Sequence, residues 1–286
     1  SPMAPSLLHT TILTLLALTA FAGNSLLCRL ALTRTDIDPA TFSSIRLASG
    51  AVTLWLIVRC RRVCPELGGS WSSAGALFIY AASFSFAYVA LPTGAGALLL
   101  FGAVQATMIG AGLWAGERMS PGQWGGFALA LGGLVTLLFP ELSSPSLGGS
   151  VLMFAAGFAW GMYSLQGRHR DDPVAATAGN FLRTLPLAGL LSVAGWPWIQ
   201  IDGTGIAYAM LSGALASGVG YAVWYAALRG LTATHAATVQ LTVPVLAALG
   251  GVAFLGEPIT WHLGIAAAAI LGGVALALLR RTVRSG

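Results

Sequence analysis

Two stretches 140 residues apart carry the same pattern: GLWAGERMSPGQWGGFALALGG (112–133) and VAFLGEPITWHLGIAAAAILGG (252–273). Gly116-Glu117 aligns with Gly256-Glu257, and a Gly-Gly pair follows sixteen residues later in both. Single matches mean little in helices rich in alanine and glycine, but a repeated Gly-Glu and Gly-Gly spacing is more specific. The chain is therefore predicted to be an internal duplication.

The hydrophobic runs on both sides of these stretches are long enough to cross a bilayer. A transmembrane helix needs about 20 mostly apolar residues, and glycine, proline and charged residues divide the chain into segments of that size. The predicted spans are 8–31, 39–59, 71–91, 93–115, 120–139, 147–167, 174–195, 204–227, 233–255 and 260–280. The sequence thus predicts an all-α integral membrane protein with ten transmembrane helices and no room for a soluble catalytic domain.

The ten spans fall into two sets of five. Residues 3–140 form the first predicted five-helix repeat, and residues 147–286 form the second. Because five is an odd number, the second repeat must insert upside down relative to the first. Inverted repeats that move around a site near the bilayer midplane are characteristic of secondary transporters, so the duplication favours a carrier.

The composition agrees with a chain that lies almost wholly in lipid. Hydrophobic residues make up 56% of the 286 residues and charged residues make up 8%, and the mean hydropathy is +0.81. An ordinary soluble chain is roughly a quarter charged. The net charge of +5 comes from arginines near helix ends, so the sequence predicts no nucleic-acid partner.

The arginines also predict the orientation of the chain. With the N-terminus inside, the cytoplasmic side holds Arg59, Arg61, Arg62, Arg118, Arg168, Arg170, Arg229, Arg280, Arg281 and Arg284, whereas Arg29 and Arg34 lie towards the other side. Positive residues accumulate on the cytoplasmic side of membrane proteins. Both termini are therefore predicted to be cytoplasmic, in a bacterial-type plasma (inner) membrane.

Three local patterns carry little functional weight. Ser1-Pro2 before the first methionine resembles a remnant left by an expression vector. Ala20-Phe21-Ala22 resembles a signal-peptide cleavage site, but no lysine or arginine precedes the apolar run. Cys60 and Cys64 lie in an arginine-rich segment without a nearby histidine, so the sequence predicts no metal site and no cofactor.

Several stretches match those of a known family. The first half contains FAGNSLLCRLAL (21–32), FSSIRLASG (42–50) and the stretch 112–133 quoted above. The second half contains ATVQLTVPVLAALGGVAFLGEPIT (237–260) and a glycine-rich closing helix (264–279). Over essentially the whole chain the pattern resembles the drug/metabolite transporter superfamily, specifically its EamA-type ten-helix exporters, and in particular the YddG-type amino-acid exporters.

The resemblance implies export of amino acids or other small metabolites. The family pattern usually has a proline in both repeats, and Pro244 stands at that position in the second. In the first repeat the position holds Val104-Gln105, and Gln105 is included among the candidate substrate contacts.

Aromatic side chains at helical spacing predict the wall of a pocket. Apolar walls with few polar groups suit a ligand with an apolar side chain, although any single aromatic residue could instead pack in the core or join the interfacial belt. Phe84 and Trp224 are favoured because they lie mid-span at related positions of the repeat. The candidates chosen in this way are Tyr80, Ser83, Phe84, Trp160, Tyr163, Tyr221 and Trp224.

Polar groups inside the spans are the other candidates. Asn24 and Gln240 carry amides that need a hydrogen-bond partner in hydrocarbon, either another helix or a polar substrate. Arg46 and Arg183 lie at related positions of the two repeats and could each hold a substrate carboxylate. Their duplication favours instead a structural role, in which each arginine snorkels to the interface or bonds carbonyls within its own repeat.

The remaining ionisable groups lie near helix ends. Glu117 and Glu257 sit beside glycine and are predicted to cap helices and close loops, and His235 at the start of the ninth span is predicted to be structural. No aspartate or glutamate lies within a span, which favours facilitated diffusion over carboxylate-based proton antiport.

Together these features predict a secondary transporter that exports apolar, aromatic or small neutral amino acids, or related metabolites. The expected mechanism is alternating access between spans 1–4 and spans 6–9, in a monomer or weak homodimer. A channel would show a repeated polar pore lining, and a membrane enzyme would need a nucleophile or metal motif such as HExxH or GxSxG. Neither signature occurs, so no catalytic residue is predicted.

Overall fold

The computed structural model describes residues 7–61, 67–91, 93–138, 146–168, 170–255 and 260–279. These residues form ten helical spans and no strand, which confirms the predicted all-α fold. The spans are α1 (Leu7–Arg34), α2 (Pro39–Arg59), α3 (Trp71–Ala90), α4 (Thr93–Trp114), α5 (Pro121–Leu138), α6 (Leu147–Gly167), α7 (Pro173–Gly195), α8 (Gly203–Leu228), α9a (Ala233–Gln240), which continues as α9b (Val243–Leu255), and α10 (Trp261–Leu279). In length and apolar composition, five helices among the described residues could cross a membrane, and α4 and α10 contain shorter apolar stretches.

Several helices begin at the residues that the sequence indicates. Asp38 accepts hydrogen bonds from the N–H groups at the start of α2, and Asp172 does the same for α7. Pro39 and Pro173 follow directly, where a missing N–H leaves no hydrogen bond unmade. Other side-chain caps are Ser70, Ser146, Asp202 and Thr232.

The helices pack in pairs that are related by exchange of the two halves. Helix α3 packs on α6 as α8 packs on α1, and α4 packs on α6 as α9b packs on α1. Exchanging the halves turns α2 into α7 and α5 into α10. The α2–α7 and α5–α10 pairs are therefore each formed by two equivalent helices. The core therefore lies at the interface between the halves, where α1, α3, α6 and α8 meet.

Two spans depart from regular α-helix geometry. Within α8, residues Ser212–Val219 form a π-helix between two α-helical segments. The ninth span is interrupted at Leu241-Thr242, and Pro244 follows as the second residue of α9b. A proline at this position has no N–H with which to bond the Gln240 carbonyl, so the α-helix cannot run through unbroken.

The exterior of the bundle is apolar, with tryptophans near helix ends. Of the nine tryptophans, Trp55, Trp71, Trp114, Trp124, Trp196, Trp198 and Trp261 are exposed. Tryptophan is enriched at membrane–water interfaces, where its ring meets lipid and its N–H meets water. The two buried tryptophans, Trp160 and Trp224, lie instead in the centre of the molecule.

Candidate substrate-binding site

Aromatic residues from four helices meet in a buried cluster between the halves. Tyr80 of α3 lies 4.9 Å from Trp160 of α6, and Trp160 lies 4.7 Å from Tyr221 of α8, measured between ring centroids. Phe21 of α1 contacts Trp224 of α8 edge-on at 5.5 Å. We call this group, which also contains Tyr163, the central aromatic cluster. The structure thus brings five of the predicted aromatic residues together and adds Phe21.

Both indole N–H groups of the cluster are bonded. Trp160 donates to the amide oxygen of Gln240 at 2.6 Å, and Trp224 donates to the Ser164 hydroxyl at 3.0 Å. Gln240 in turn donates to the Ala236 carbonyl one turn earlier in α9a. These bonds fix the ring planes, so the cluster is a rigid partition between the halves in this conformation.

The other two predicted amides also bond neighbouring helices. The Asn24 side-chain oxygen accepts from the Ser212 hydroxyl at 2.6 Å and lies 3.4 Å from that of Ser217. The Gln105 amide donates to the Ala237 carbonyl at 2.8 Å and so ties α4 to α9a. Partly buried Ser83 takes part in none of the described contacts of the cluster. Gln105 and Ser83 are therefore the two predicted site residues that lie apart from the others.

Arg46 lies beneath the cluster and is 1% exposed. Its Nε donates to the Ser217 hydroxyl at 2.9 Å, and its Nη2 donates to the Tyr221 hydroxyl at 2.6 Å. The guanidinium carbon lies 5.4 Å from the Tyr80 ring centroid. The expectation that Arg46 bonds within its own repeat is wrong, because both hydrogen-bond partners belong to α8 of the other half.

Arg183, the repeat mate of Arg46, has a different environment. Its Nη1 donates to the backbone carbonyls of Gly68 at 2.7 Å and Gly179 at 2.9 Å. The Gly179 bond lies within the second repeat, as predicted, and the Gly68 bond crosses to the first half. The two arginines share a position in the repeat but not a function in the structure.

A cavity of about 280 Å³ opens above the cluster. Its wall contains Ser25, Cys28, Arg29 and Thr33 from α1, Phe84, Tyr88 and Leu91 from α3, Leu100 and Phe101 from α4, and Val243, Pro244 and Ala247 from α9b. Arg29 is the one charged side chain among the described wall residues. Phe84 is the only predicted site residue in that wall, and its ring lies 5.6 Å from the Tyr80 ring. The aromatic cluster thus continues directly from the floor of the cavity.

Sequence reasoning missed most of the cavity wall, although a signal was present. Ser25, Cys28, Arg29 and Leu32 recur at i, i+3, i+4 and i+7 along α1, which puts them on one face. This face is mixed in polarity rather than aromatic, so a search for aromatic stripes passes over it.

The opposite end of the bundle is closed by bonds between the halves. We call it the basic end, because the loops with Arg61, Arg118 and Arg168 lie there. Arg61 pairs with Asp172 at 2.6 Å. Asn180 of α7 accepts from the Ser70 N–H at 3.0 Å. In the part of the chain that is described, these bonds join the halves at the basic end. At the other end the Gln200 N–H donates to the Asp38 carboxylate at 3.0 Å, so the halves also touch there and the cavity opens beside this contact.

Glu117 is the centre of this closure. Its two carboxylate oxygens accept from the N–H groups of Ala233 and Thr234 at 2.8 and 3.0 Å, and Arg168 lies 3.6 Å away. Burial alone would raise the pKa of Glu117, but these N–H groups and the arginine lower it below its ordinary value. The predicted capping role is confirmed, but the capped helix is α9a of the other half. Glu257 lies outside the described residues.

Comparisons with known proteins agree with the fold. Residues 147–279 match the model of the EamA-like transporter family. An uncharacterized protein of Pseudomonas aeruginosa is 56% identical over 279 residues, covering 97% of each chain. An uncharacterized transporter of Archaeoglobus fulgidus is 26% identical and covers 93% of this chain and 96% of its own. The chain belongs to the EamA-like transporter family.

Other matches of this EamA-like transporter are partial or structural. The threonine/homoserine exporter RhtA of Escherichia coli K12 is 32% identical over 127 residues, which is 42% of this chain and 41% of RhtA. One crystal structure shares the fold with a TM-score of 0.79 at 22% identity and covers 94% of this chain and 98% of its own. The family consists of multi-pass membrane transporters of small molecules, which rules out the membrane-enzyme alternative.

Proposed function

We propose that this protein exports small amino acids with neutral, largely apolar side chains from the cytoplasm by alternating access. The supporting observation is the cavity that narrows onto the central aromatic cluster from one end, while the other end is closed between the halves. A carrier needs one site that is reached from one side at a time.

The size and chemistry of the cavity support the substrate class. A volume of about 280 Å³ lies at the lower end of the sizes of small-molecule pockets, which suits a small metabolite. Phe84, Leu100 and Phe101 give an apolar lower wall, whereas Ser25 and Arg29 can hydrogen-bond the polar end of a ligand. The similarity of one segment to a threonine/homoserine exporter points to the same class.

The orientation follows from the arginine distribution. With both termini in the cytoplasm, the basic end faces the cytoplasm and the cavity opens to the outside. The conformation is then outward-open, and the halves that rock are α1–α4 and α6–α9. Helices α5 and α10 pack on each other at the edge of the bundle, where they leave the moving halves free in a monomer or weak homodimer.

Facilitated diffusion is the proposed energy coupling. A carboxylate-based proton antiporter needs an acid within its spans, and every aspartate and glutamate of this sequence lies outside the ten helices. Export would then follow the substrate gradient.

The test is uptake of radiolabelled threonine, methionine, leucine and phenylalanine into proteoliposomes, with and without a pH gradient. We expect saturable uptake of at least one of them, accelerated by unlabelled substrate on the other side and unaffected by the gradient. Acceleration by substrate in trans separates a carrier from a channel. Uptake of none of the four would contradict the amino-acid assignment.

A further inference from the structure

Arg46 is a buried cation with no carboxylate among its described contacts. Its described contacts are the hydroxyls of Ser217 and Tyr221 and the Tyr80 ring, and the Cys28 thiol lies near enough to interact with its charge. Hydroxyl and phenol groups carry no charge near neutral pH, and a thiol is mostly neutral there. No acid lies within any of the ten helices, so no helical carboxylate neutralises this guanidinium.

One nitrogen of the Arg46 guanidinium is left unbonded in the described part of the chain. Nη1 is fully buried and makes no hydrogen bond to any described residue. Buried polar groups are nearly always bonded, and an unpaired charge inside a membrane protein is costly and points to a function. Arg183 makes the contrast clear, because its Nη1 donates to two backbone carbonyls.

The guanidinium lies close to the floor of the cavity. Cys28 lines the cavity and is among the groups that interact with the Arg46 charge. Phe84 lines it as well and contacts Tyr80, which lies against the guanidinium. Phe84 and Tyr80 thus connect the cavity wall to the guanidinium through two successive contacts.

We propose that Arg46 binds the carboxylate of the transported amino acid once the central aromatic cluster parts. The inference rests on the proposed function and adds the group that recognises the substrate. Nη1 and Nη2 of the planar guanidinium each point an N–H group to the same side. The two N–H groups can donate one hydrogen bond to each oxygen of a carboxylate. The ligand carboxylate then replaces the Tyr221 hydroxyl as the acceptor of the Nη2 hydrogen bond, while the Ser217 hydroxyl still accepts from Nε. The aromatic rings are left to surround the substrate side chain.

The test compares each of the four amino acids with its carboxamide, which has the same side chain and ammonium group but no negative charge. Ligand binding is measured as thermal stabilisation of the purified protein in detergent. We expect wild type to prefer the acid by at least about tenfold, the scale of a charge-assisted hydrogen bond. Arg46→Gln should lose this preference, and Arg183→Gln should keep it.

Arg46→Lys provides a second variant for the case that Arg46→Gln does not fold. A lysine keeps the charge but has no planar fork, so the acid should bind more weakly while the carboxamide is unaffected. An unchanged acid preference in Arg46→Gln, or in Arg46→Lys if that alone folds, would overturn the role of Arg46 and leave the transport proposal intact. If wild type binds none of the acids, the proposed substrate class fails, and the Arg46 proposal fails with it.

Discussion

At the scale of single residues, Glu117 joins the two halves through one carboxylate. It lies after α4 of the first half but accepts hydrogen bonds from the first N–H groups of α9a in the second. A carboxylate at a helix N-terminus is stabilised by the unpaired N–H groups and by the helix dipole. Opening the basic end must break these bonds, so Glu117 contributes to the stability of the closed end.

The predicted effect of Glu117→Gln depends on pH. Because the folded-state pKa of Glu117 is below its ordinary value, its stabilising contribution is complete above about pH 4.3, the unfolded value. That contribution is lost as the pH falls through the folded pKa. We expect Glu117→Gln to lower the free energy of unfolding by about 1–2 kcal/mol at pH 7, as for a charge-assisted hydrogen bond. This deficit in stability relative to wild type should shrink towards pH 3.

Melting temperatures of both proteins in detergent between pH 3 and pH 7 measure this effect. The matched control is Asp36→Asn, which removes an exposed carboxylate at the other end of the bundle. A deficit that stays constant over the pH range would contradict the role assigned to Glu117.

The sequence predicted some residue roles and missed others for an identifiable reason. The predicted spans 39–59 and 174–195 begin where the helices capped by Asp38 and Asp172 begin, because acidic residues and a proline mark these starts locally. Glu117 was recognised as a cap, but its partner helix lies more than a hundred residues further along the chain. Arg46 bonds Ser217 and Tyr221 at a similar separation. Such partners follow from how the halves meet, and the sequence of one span does not contain that information.

At the scale of elements, the π-helical segment of α8 determines how α8 crosses α2. Gly213 packs directly on the Arg46 carbonyl and on the Ser49 side chain, where a Cβ atom has no space. Gly50 of α2 packs in the same way against Phe181 and the Gly213 carbonyl. This close crossing brings Ser217 and Tyr221 within reach of Arg46.

We therefore expect Gly213→Ala to destabilise the protein by about 1–3 kcal/mol, the usual cost of overpacking, and to slow transport. The physical reason is that the added methyl group pushes α8 away from α2 at the level of Arg46. Melting temperature in detergent and initial uptake rate are the measurements.

Gly75→Ala in α3 is the control, because a Cβ atom there meets nothing within 4 Å. It should leave the melting temperature unchanged or raise it slightly, since alanine favours a helix more than glycine does. If Gly213→Ala and Gly75→Ala have the same melting temperature, the close crossing of α8 and α2 does not contribute to stability.

The helix boundaries were predictable, but the internal irregularities of α8 and α9 were only partly so. Pro244 is visible in the sequence of the ninth span, and the helix is interrupted just before it, as proline chemistry leads one to expect. The π-helix of α8 has no comparable marker, because Ser212–Val219 reads as an ordinary small-residue helix. Its position coincides with the close crossing of α2, which involves residues far away in the sequence.

At the scale of the whole molecule, the ten spans and their pairing follow from hydrophobicity and internal repetition, both of which are visible in the sequence. The conformation seen here does not follow from the sequence, because a carrier must have at least two arrangements of nearly equal free energy. The cavity wall of α1 and α9b belongs to one such arrangement. This explains why the buried cluster was largely predicted while the cavity was missed.

The central claim is that the cavity end and the basic end open in turn. Its most direct test is the labelling rate of single cysteines by a charged thiol reagent, in a background where Cys28, Cys60 and Cys64 are replaced by serine. Ser25→Cys reports on the cavity wall, and Thr238→Cys, buried in α9a, reports on the closed side.

We expect Ser25→Cys to react quickly and Thr238→Cys slowly. Adding Glu117→Gln, which weakens the closure at the basic end, should slow the reaction of Ser25→Cys and speed that of Thr238→Cys. Reciprocal changes of this kind are what alternating access predicts. If both rates rise together, or if neither responds, the two ends are not coupled and the protein does not work by alternating access.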